Sequence, residues 1–164
     1  TTLGDFFWGD RITAEGGQYS MCWCQATSSG DDPQANCDAE GRFRSQIGSM
    51  LVLGPSRGVT AECISGKPGG CYVDGIDGEG LDDNNRIMVL ATCGMGAIIS
   101  GFPNRGVSVT VNSAGDLHTW GSSAISALGG TYEVCWCVEQ QDCFAAEDFI
   151  MRIGVLTVVG PFGG

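Results

Sequence analysis

The stretch Gly130-Thr131-Tyr132-Glu133-Val134-Cys135-Trp136-Cys137-Val138 decides how this chain folds, because apolar and polar residues alternate along it into a Cys-Trp-Cys triplet. Neighbouring residues of a strand point to opposite faces of its sheet. Tyr132, Val134, Trp136 and Val138 therefore share one face, with Thr131, Glu133, Cys135 and Cys137 on the other. The apolar face belongs in a core, so Trp136 is expected to be buried and both cysteines to lie outward. An antibody domain does the reverse, packing its tryptophan on a disulfide inside the core. Here disulfides are expected to tie strands and loops together on the outer surface of the sheet.

Looking upstream from this stretch, the same order of residues occurs a second time. Trp8-Gly9, Gly17-Gln18-Tyr19, Cys22-Trp23-Cys24, Cys37, Phe43, Ile47-Gly48 and Gly54-Pro55 come first. Trp120-Gly121, Gly130-Thr131-Tyr132, Cys135-Trp136-Cys137, Cys143, Phe149, Ile153-Gly154 and Gly160-Pro161 follow. The Trp-Gly pairs are 112 residues apart, the Cys-Trp-Cys triplets 113 and the Gly-Pro pairs 106. The seven residues lost (113 − 106) fall in the polar stretch 27–36, where length variation marks a surface loop. In the first copy Tyr19, Met21 and Trp23 share a face, so Trp23 too is expected in a core. A period of this size suits one β-sandwich domain. Residues 55–164 are thus expected to form a complete repeat, and residues 1–54 the C-terminal half of another. Half a sandwich leaves an apolar face and strand edges unpaired. With neither an initiator Met nor a signal peptide, the sequence is expected to be a processed piece of a longer protein.

The remaining sequence supports an all-β fold. No long 3.6-residue stripe occurs, and glycine, 27 of 164 residues, interrupts nearly every window. Strands are expected near 47–53, 59–64, 70–76, 86–92, 107–112, 131–138 and 149–159, separated by Gly-rich and Asp/Asn-rich turns. A hydrophobic content of 43% is enough for a core, and no apolar run reaches the length of a membrane-spanning helix. Eight Lys and Arg against 19 Asp and Glu give a net charge of −11, which argues against nucleic acid and anionic lipid as partners.

Nine cysteines in so short a chain point to an oxidising compartment and a disulfide framework. Six cysteines alone allow fifteen connectivities. Within the complete repeat, Cys137 and Cys143 fit closure of the loop after the triplet, and Cys63 and Cys71 bracket the turn at Lys67-Pro68-Gly69-Gly70. That leaves Cys135 for Cys93. Cys24 and Cys37 make the first-copy version of the loop bond. Cys22 then needs a counterpart of Cys93 outside this chain, which accounts for the odd count. Zinc is the competing explanation, but one residue separates the thiols of each triplet and His118 is remote, so no metal is expected.

Few residues invite chemistry. His118, flanked by Asp116 and Trp120, is the single histidine. No G-x-S-x-G elbow accompanies it, so neither catalysis nor a cofactor is expected. The acidic run Asp74, Asp77, Glu79, Asp82 and Asp83 resembles a calcium loop but misses the EF-hand spacing, with Ile76 at the third ligand position. A calcium site between β-domains is the alternative to a solvated connection. No N-x-S/T acceptor occurs, while Ser and Thr leave O-linked sugars open.

The order Cys63, Lys67-Pro68, Cys71, Arg86-Ile87-Met88-Val89-Leu90, Cys93-Gly94, the Gly-x-Tyr-x-x-Cys-Trp-Cys stretch and Gly154 to Pro161 resembles the tandem repeats of very large secreted surface proteins of algae and other protists. Mastigoneme-like flagellar hair proteins are among them. The resemblance implies Ig-like β-sandwich domains in series, disulfide-stapled, often glycosylated, at the extracellular, cell or flagellar surface, and structural rather than enzymatic. The cysteines, both triplet tryptophans and the closing Gly-Pro are the residues it carries over. A segment of an extracellular filament or surface coat is the leading expectation, partnered by copies of itself or by neighbouring repeats. Upstream chain or another subunit would supply the missing half by strand pairing. The alternative is an adhesive or receptor ectodomain for glycan or protein, expected to expose a patch such as Trp120 with Tyr72.

Overall fold

Turns built on Gly, Asp and Asn cut the apolar stretches into short strands, and a computed structural model describes residues 7–9, 11–25, 37–138 and 142–162. The loop expected at 27–36 lies outside the described residues. In chain order the strands are β1 (Gly17–Trp23), β2 (Ser45–Val52), β3 (Gly54–Pro55), β4 (Val59–Ile64), β5 (Tyr72–Val73), β6 (Gly78–Glu79), β7 (Arg86–Leu90), β8 (Val109–Thr110), β9 (His118–Thr119), β10 (Gly130–Cys137) and β11 (Met151–Val159). Only single 3₁₀ turns accompany them, so the protein is all-β. One expected strand is shorter than its β-propensity suggests. The stretch 70–76 keeps only Tyr72 and Val73, because Gly70 (φ +79) and Gly75 (φ +73) turn the chain on either side.

The chain divides into two compact units, Gly17–Val52 and a larger one that joins the described residues up to Gly16 to Leu53 onward. Within the larger unit Arg57 bonds Thr13 O at 3.0 Å and pairs with Glu15 at 3.7 Å.

In the larger unit β4, β11, β10 and β7 form a four-stranded sheet in that order. β10 runs antiparallel to both neighbours, whereas β4 lies parallel to β11. No helical crossover is needed for that parallel pair, because the rest of the unit is the connection between its strands. A three-stranded sheet, β5-β9-β8, makes a second layer. The main core joins Val134, Trp136, Ile153, Leu156 and Val158 of the large sheet to Val73, Trp120, Phe102, Ile125 and Ala127.

The opposite face of the large sheet corrects one expectation. Trp136 is buried on the main-core side, and Cys135 and Cys137 lie on the other, but that other face is not a surface. Both cysteines are buried with Met88, Leu90, Cys143, Ala146 and Phe149 in a second apolar cluster. Fully burying a side chain such as Phe149 is worth roughly 1.5–3 kcal/mol, so this cluster is a real part of the stability. Its signature is the unbroken run Ile87-Met88-Val89-Leu90, since a strand apolar at every position has two dry faces. Ile87 and Val89 enter the main core, Met88 and Leu90 the second.

Close backbone packing at the parallel pair depends on Gly154. A Cβ there would stand 1.9 Å from Val59 O, so Gly154→Ala is expected to cost about 1–3 kcal/mol, read from the denaturant midpoint. Gly48 holds the matching position in β2, but a Cβ there meets only the flexible end of Met21 at 3.0 Å. Gly48→Ala should stay within about 0.5 kcal/mol of the parent. Equal effects at the two positions would show that the parallel contact contributes nothing.

Candidate functional site

The β1–β2 hairpin and the β10–β11 hairpin are built alike. Gly17 pairs with Val52, Tyr19 with Met50 and Met21 with Gly48; then the register slips, and Cys22 pairs with Gln46. In the other hairpin Gly130 pairs with Val158, Tyr132 with Leu156 and Val134 with Gly154; then the register slips, and Cys135 pairs with Arg152. The extra residue is Ile47 in one hairpin and Ile153 in the other, so each has its bulge just before the Gly of an Ile-Gly pair. A bulge increases local twist and bends its strand, so both hairpins turn at the same place.

Their surroundings differ. β10 has β7 on its far side and β11 has β4, while β1 and β2 pair only with each other among the described residues. Trp136 is 6% exposed and Ile153 1%, whereas Trp23 is 44% exposed and Ile47 60%. Trp23 is therefore not a core residue of the described chain. Among the described residues of the Gly17–Val52 unit, the layers that cover Trp136 have no counterpart.

Disulfides join Cys24 to Cys37, Cys63 to Cys71, Cys93 to Cys135 and Cys137 to Cys143. The Cys137–Cys143 bond closes the loop after β10, and Cys24–Cys37 closes the corresponding, longer loop after β1. Cys93–Cys135 staples β10 to the segment after β7. Cys22, at the register position of Cys135, is an exposed free thiol. Cys93, Glu133 and Cys135 bring potential metal-ligand atoms within 4.8 Å, but both sulfurs belong to one disulfide and are not thiolate donors. Glu133 instead accepts the Cys93 N–H at 2.9 Å and pairs with Arg152 at 2.9 Å.

His118 lies fully buried on β9 between the two layers. Its Nε2 is 3.2 Å from Gly115 O, a pure acceptor, so Nε2 carries the proton. Nδ1 then accepts from Ser108 Oγ at 3.1 Å, and Ser108 Oγ accepts from the Ile87 N–H at 3.0 Å. Burial lowers the pKa of His118 from 6.5 to about 4, and the nearby Arg86 charge adds to this, while Gly115 O and Asp116 pull the other way. The result is a neutral imidazole joining β7, the residue before β8, and β9. No carboxylate contacts either ring nitrogen; Asp116 instead hydrogen-bonds Asn112.

Trp120 is buried, not exposed beside Tyr72. Its Nε1–H donates to Gly106 O at 2.7 Å and its ring meets Phe102 edge-on at 5.4 Å. The acidic run does not gather into a cluster. Asp74, Asp77 and Asp82 each accept a local backbone N–H, from Gly75, Gly78 and Asn84. The Asp82 bond is an Asx turn, and the other two each hold the amide of the next residue.

Over 155 residues the chain is 26% identical to Cysteine repeat modular protein B of Toxoplasma gondii. The alignment takes in 88% of this chain and 2% of that protein, so the chain spans only a small part of its relative. It is similar to a cysteine repeat protein of a protist. No protein-family profile matches the chain, and no solved structure matches it at a significant level. The similarity and the four disulfides agree on a cysteine-rich repeat protein suited to an oxidising, extracellular setting. No helix among the described residues is long and apolar enough to cross a membrane.

Proposed function

We propose that this chain is a structural segment of an extracellular filament or surface coat made of tandem Ig-like repeats, of the kind formed by mastigoneme-like proteins. The shared register of the two hairpins, bulge included, carries this reading. It makes Gly17–Val52 the C-terminal half of a repeat whose other half supplies counterparts of β4 and β7. Those strands would come from upstream chain or from another subunit and would cover Trp23 and Ile47. Cys22 would then meet a counterpart of Cys93. The similarity to a cysteine repeat modular protein supports the tandem arrangement. A purely structural role for His118 supports the reading as well, since both its ring nitrogens serve internal hydrogen bonds. The alternative of an adhesive ectodomain loses its aromatic patch, because Trp120 is in the core.

Native assemblies should appear in electron micrographs as fibres or sheets with an axial repeat of one or two domain lengths. In them, differential alkylation with mass spectrometry is expected to find Cys22 in a disulfide to a cysteine of another repeat. Isolated particles with a fully alkylated Cys22 would overturn the proposal.

A further inference from the structure

Arg86 and Arg105 line one surface cavity of about 300 Å³, together with Asn104, Val109, Cys143 and Phe144. In a chain with eight basic and 19 acidic residues, two guanidinium groups at one cavity call for a physical reason. Arg86 is half-buried, and its Nη1 is held by Asp83 O at 2.8 Å, Asn85 O at 2.8 Å and Thr110 Oγ1 at 3.2 Å. Those contacts fix the group without neutralising it. The ion pairs among the described residues are Arg57–Glu15 and Arg152–Glu133, so neither cavity arginine has a carboxylate partner. Arg105 is exposed, but Arg86 is a partly desolvated cation without a counter-anion, which is unfavourable unless something else brings the negative charge.

The backbone around Arg105 is also unusual. Asn104 (φ +49) and Arg105 (φ +58) are the two non-glycine residues with left-handed backbone among those described. Two side chains in that region cost energy that glycine would avoid, and such strain persists only where the surroundings impose it. Here the loop is held by Trp120 through Gly106 O, by the Val107 N–H to Asn104 O bond at 3.1 Å and by the Ser108 N–H to Ile87 O bond at 2.8 Å. Phe144, 75% exposed, adds a flat apolar surface to the same cavity.

We propose that this cavity binds a single acidic sugar residue, its carboxylate or sulfate meeting Arg86 and Arg105 and its apolar ring face lying on Phe144. The size sits at the lower end of small-molecule sites. Guanidinium groups suit planar or tetrahedral oxyanions, and the Asn104 amide supplies both a donor and an acceptor for hydroxyls. Carboxylate and sulfate ester are two forms of one oxyanion chemistry. The inference stands apart from the filament proposal and does not need an assembled fibre.

Amide chemical shifts of the oxidised chain, titrated separately with glucuronate, glucose 6-sulfate and glucose, test it. Saturable shifts around Arg105 and Phe144 are expected with one or both acidic sugars, weakened by salt and absent with glucose. Arg105→Gly should reduce affinity at least tenfold while leaving the melting temperature unchanged or higher, because glycine takes the left-handed conformation freely. Phe144→Ala should weaken binding without moving the arginines' neighbours in the free protein. Equal shifts with glucose, unchanged affinity in Arg105→Gly, or no saturable shift with either acid would each overturn the assignment. So would shifts at this cavity that depend on protein concentration alone, since the occupant would then be an acidic side chain of a second copy.

Discussion

Replacing Cys93 and Cys135 together by alanine is expected to lower the melting temperature of the oxidised chain by roughly 8 to 16 °C. The bond spans 42 residues, the longest separation of the four disulfides. Restricting the unfolded chain over a loop of that length contributes about 4 kcal/mol in the chain-entropy account. The Cys137–Cys143 bond spans only 6 residues, and the same account gives it about 2 kcal/mol. Both bonds place sulfur in the second apolar cluster, so removing either leaves a comparable small cavity. The difference between the two double-alanine variants therefore reports mainly on loop length. Circular dichroism melts of both variants beside the parent make the comparison. A Cys93/Cys135 variant that melts no lower than the Cys137/Cys143 variant would refute the expectation and place the staple's value in local packing instead.

The all-β fold was legible because it depends on local signals: alternation through β10, apolar stretches elsewhere and turns between them. Alternation also assigned Trp136 and its flanking cysteines to opposite faces of their strand. It did not show that the second face is covered, because exposure is set by what packs on a strand, not by the strand itself. The run Ile87-Met88-Val89-Leu90 held the clue, but a single five-residue strand is weak support for a second core. The bulges at Ile47 and Ile153 were invisible for another reason: a bulge belongs to a pair of strands and appears only once their register is known. The arginine cavity depends on a left-handed loop at Asn104 and Arg105, residues whose types do not require that conformation. Cys93–Cys135 has no local cue, since its cysteines lie on different segments, and it was legible only by elimination once the two short loops had taken their pairs. The burial of His118 had no sequence cue, because its partner Ser108 sits ten residues away and the two meet only through the pairing of β8 with β9.

That buried histidine gives the second large effect. Folded, His118 titrates near 4; unfolded, it returns to its ordinary 6.5. Between those values the unfolded chain binds a proton that the folded chain refuses, so stability falls as the pH drops through this window. Above pH 6.5 both states are neutral at this site and the full stability is present. By about pH 4 the loss reaches roughly 3 kcal/mol, from the difference between the two pKa values at 1.36 kcal/mol per unit. Carboxylates also titrate toward the acid end, so the informative quantity is the difference between the parent and His118→Gln. Glutamine carries a donor for Gly115 O and an acceptor for Ser108 but cannot take up the proton. The variant is expected to be less stable at pH 7 by about 1–3 kcal/mol, through imperfect replacement of buried hydrogen bonds. The gap should narrow steadily from pH 6.5 to pH 4 as only the parent is destabilised. Denaturant midpoints at half-unit pH steps would reveal it. A gap that stays constant across the window would mean that His118 keeps its ordinary pKa when folded, and that the chain from Ile87 through Ser108 to Gly115 opens to water.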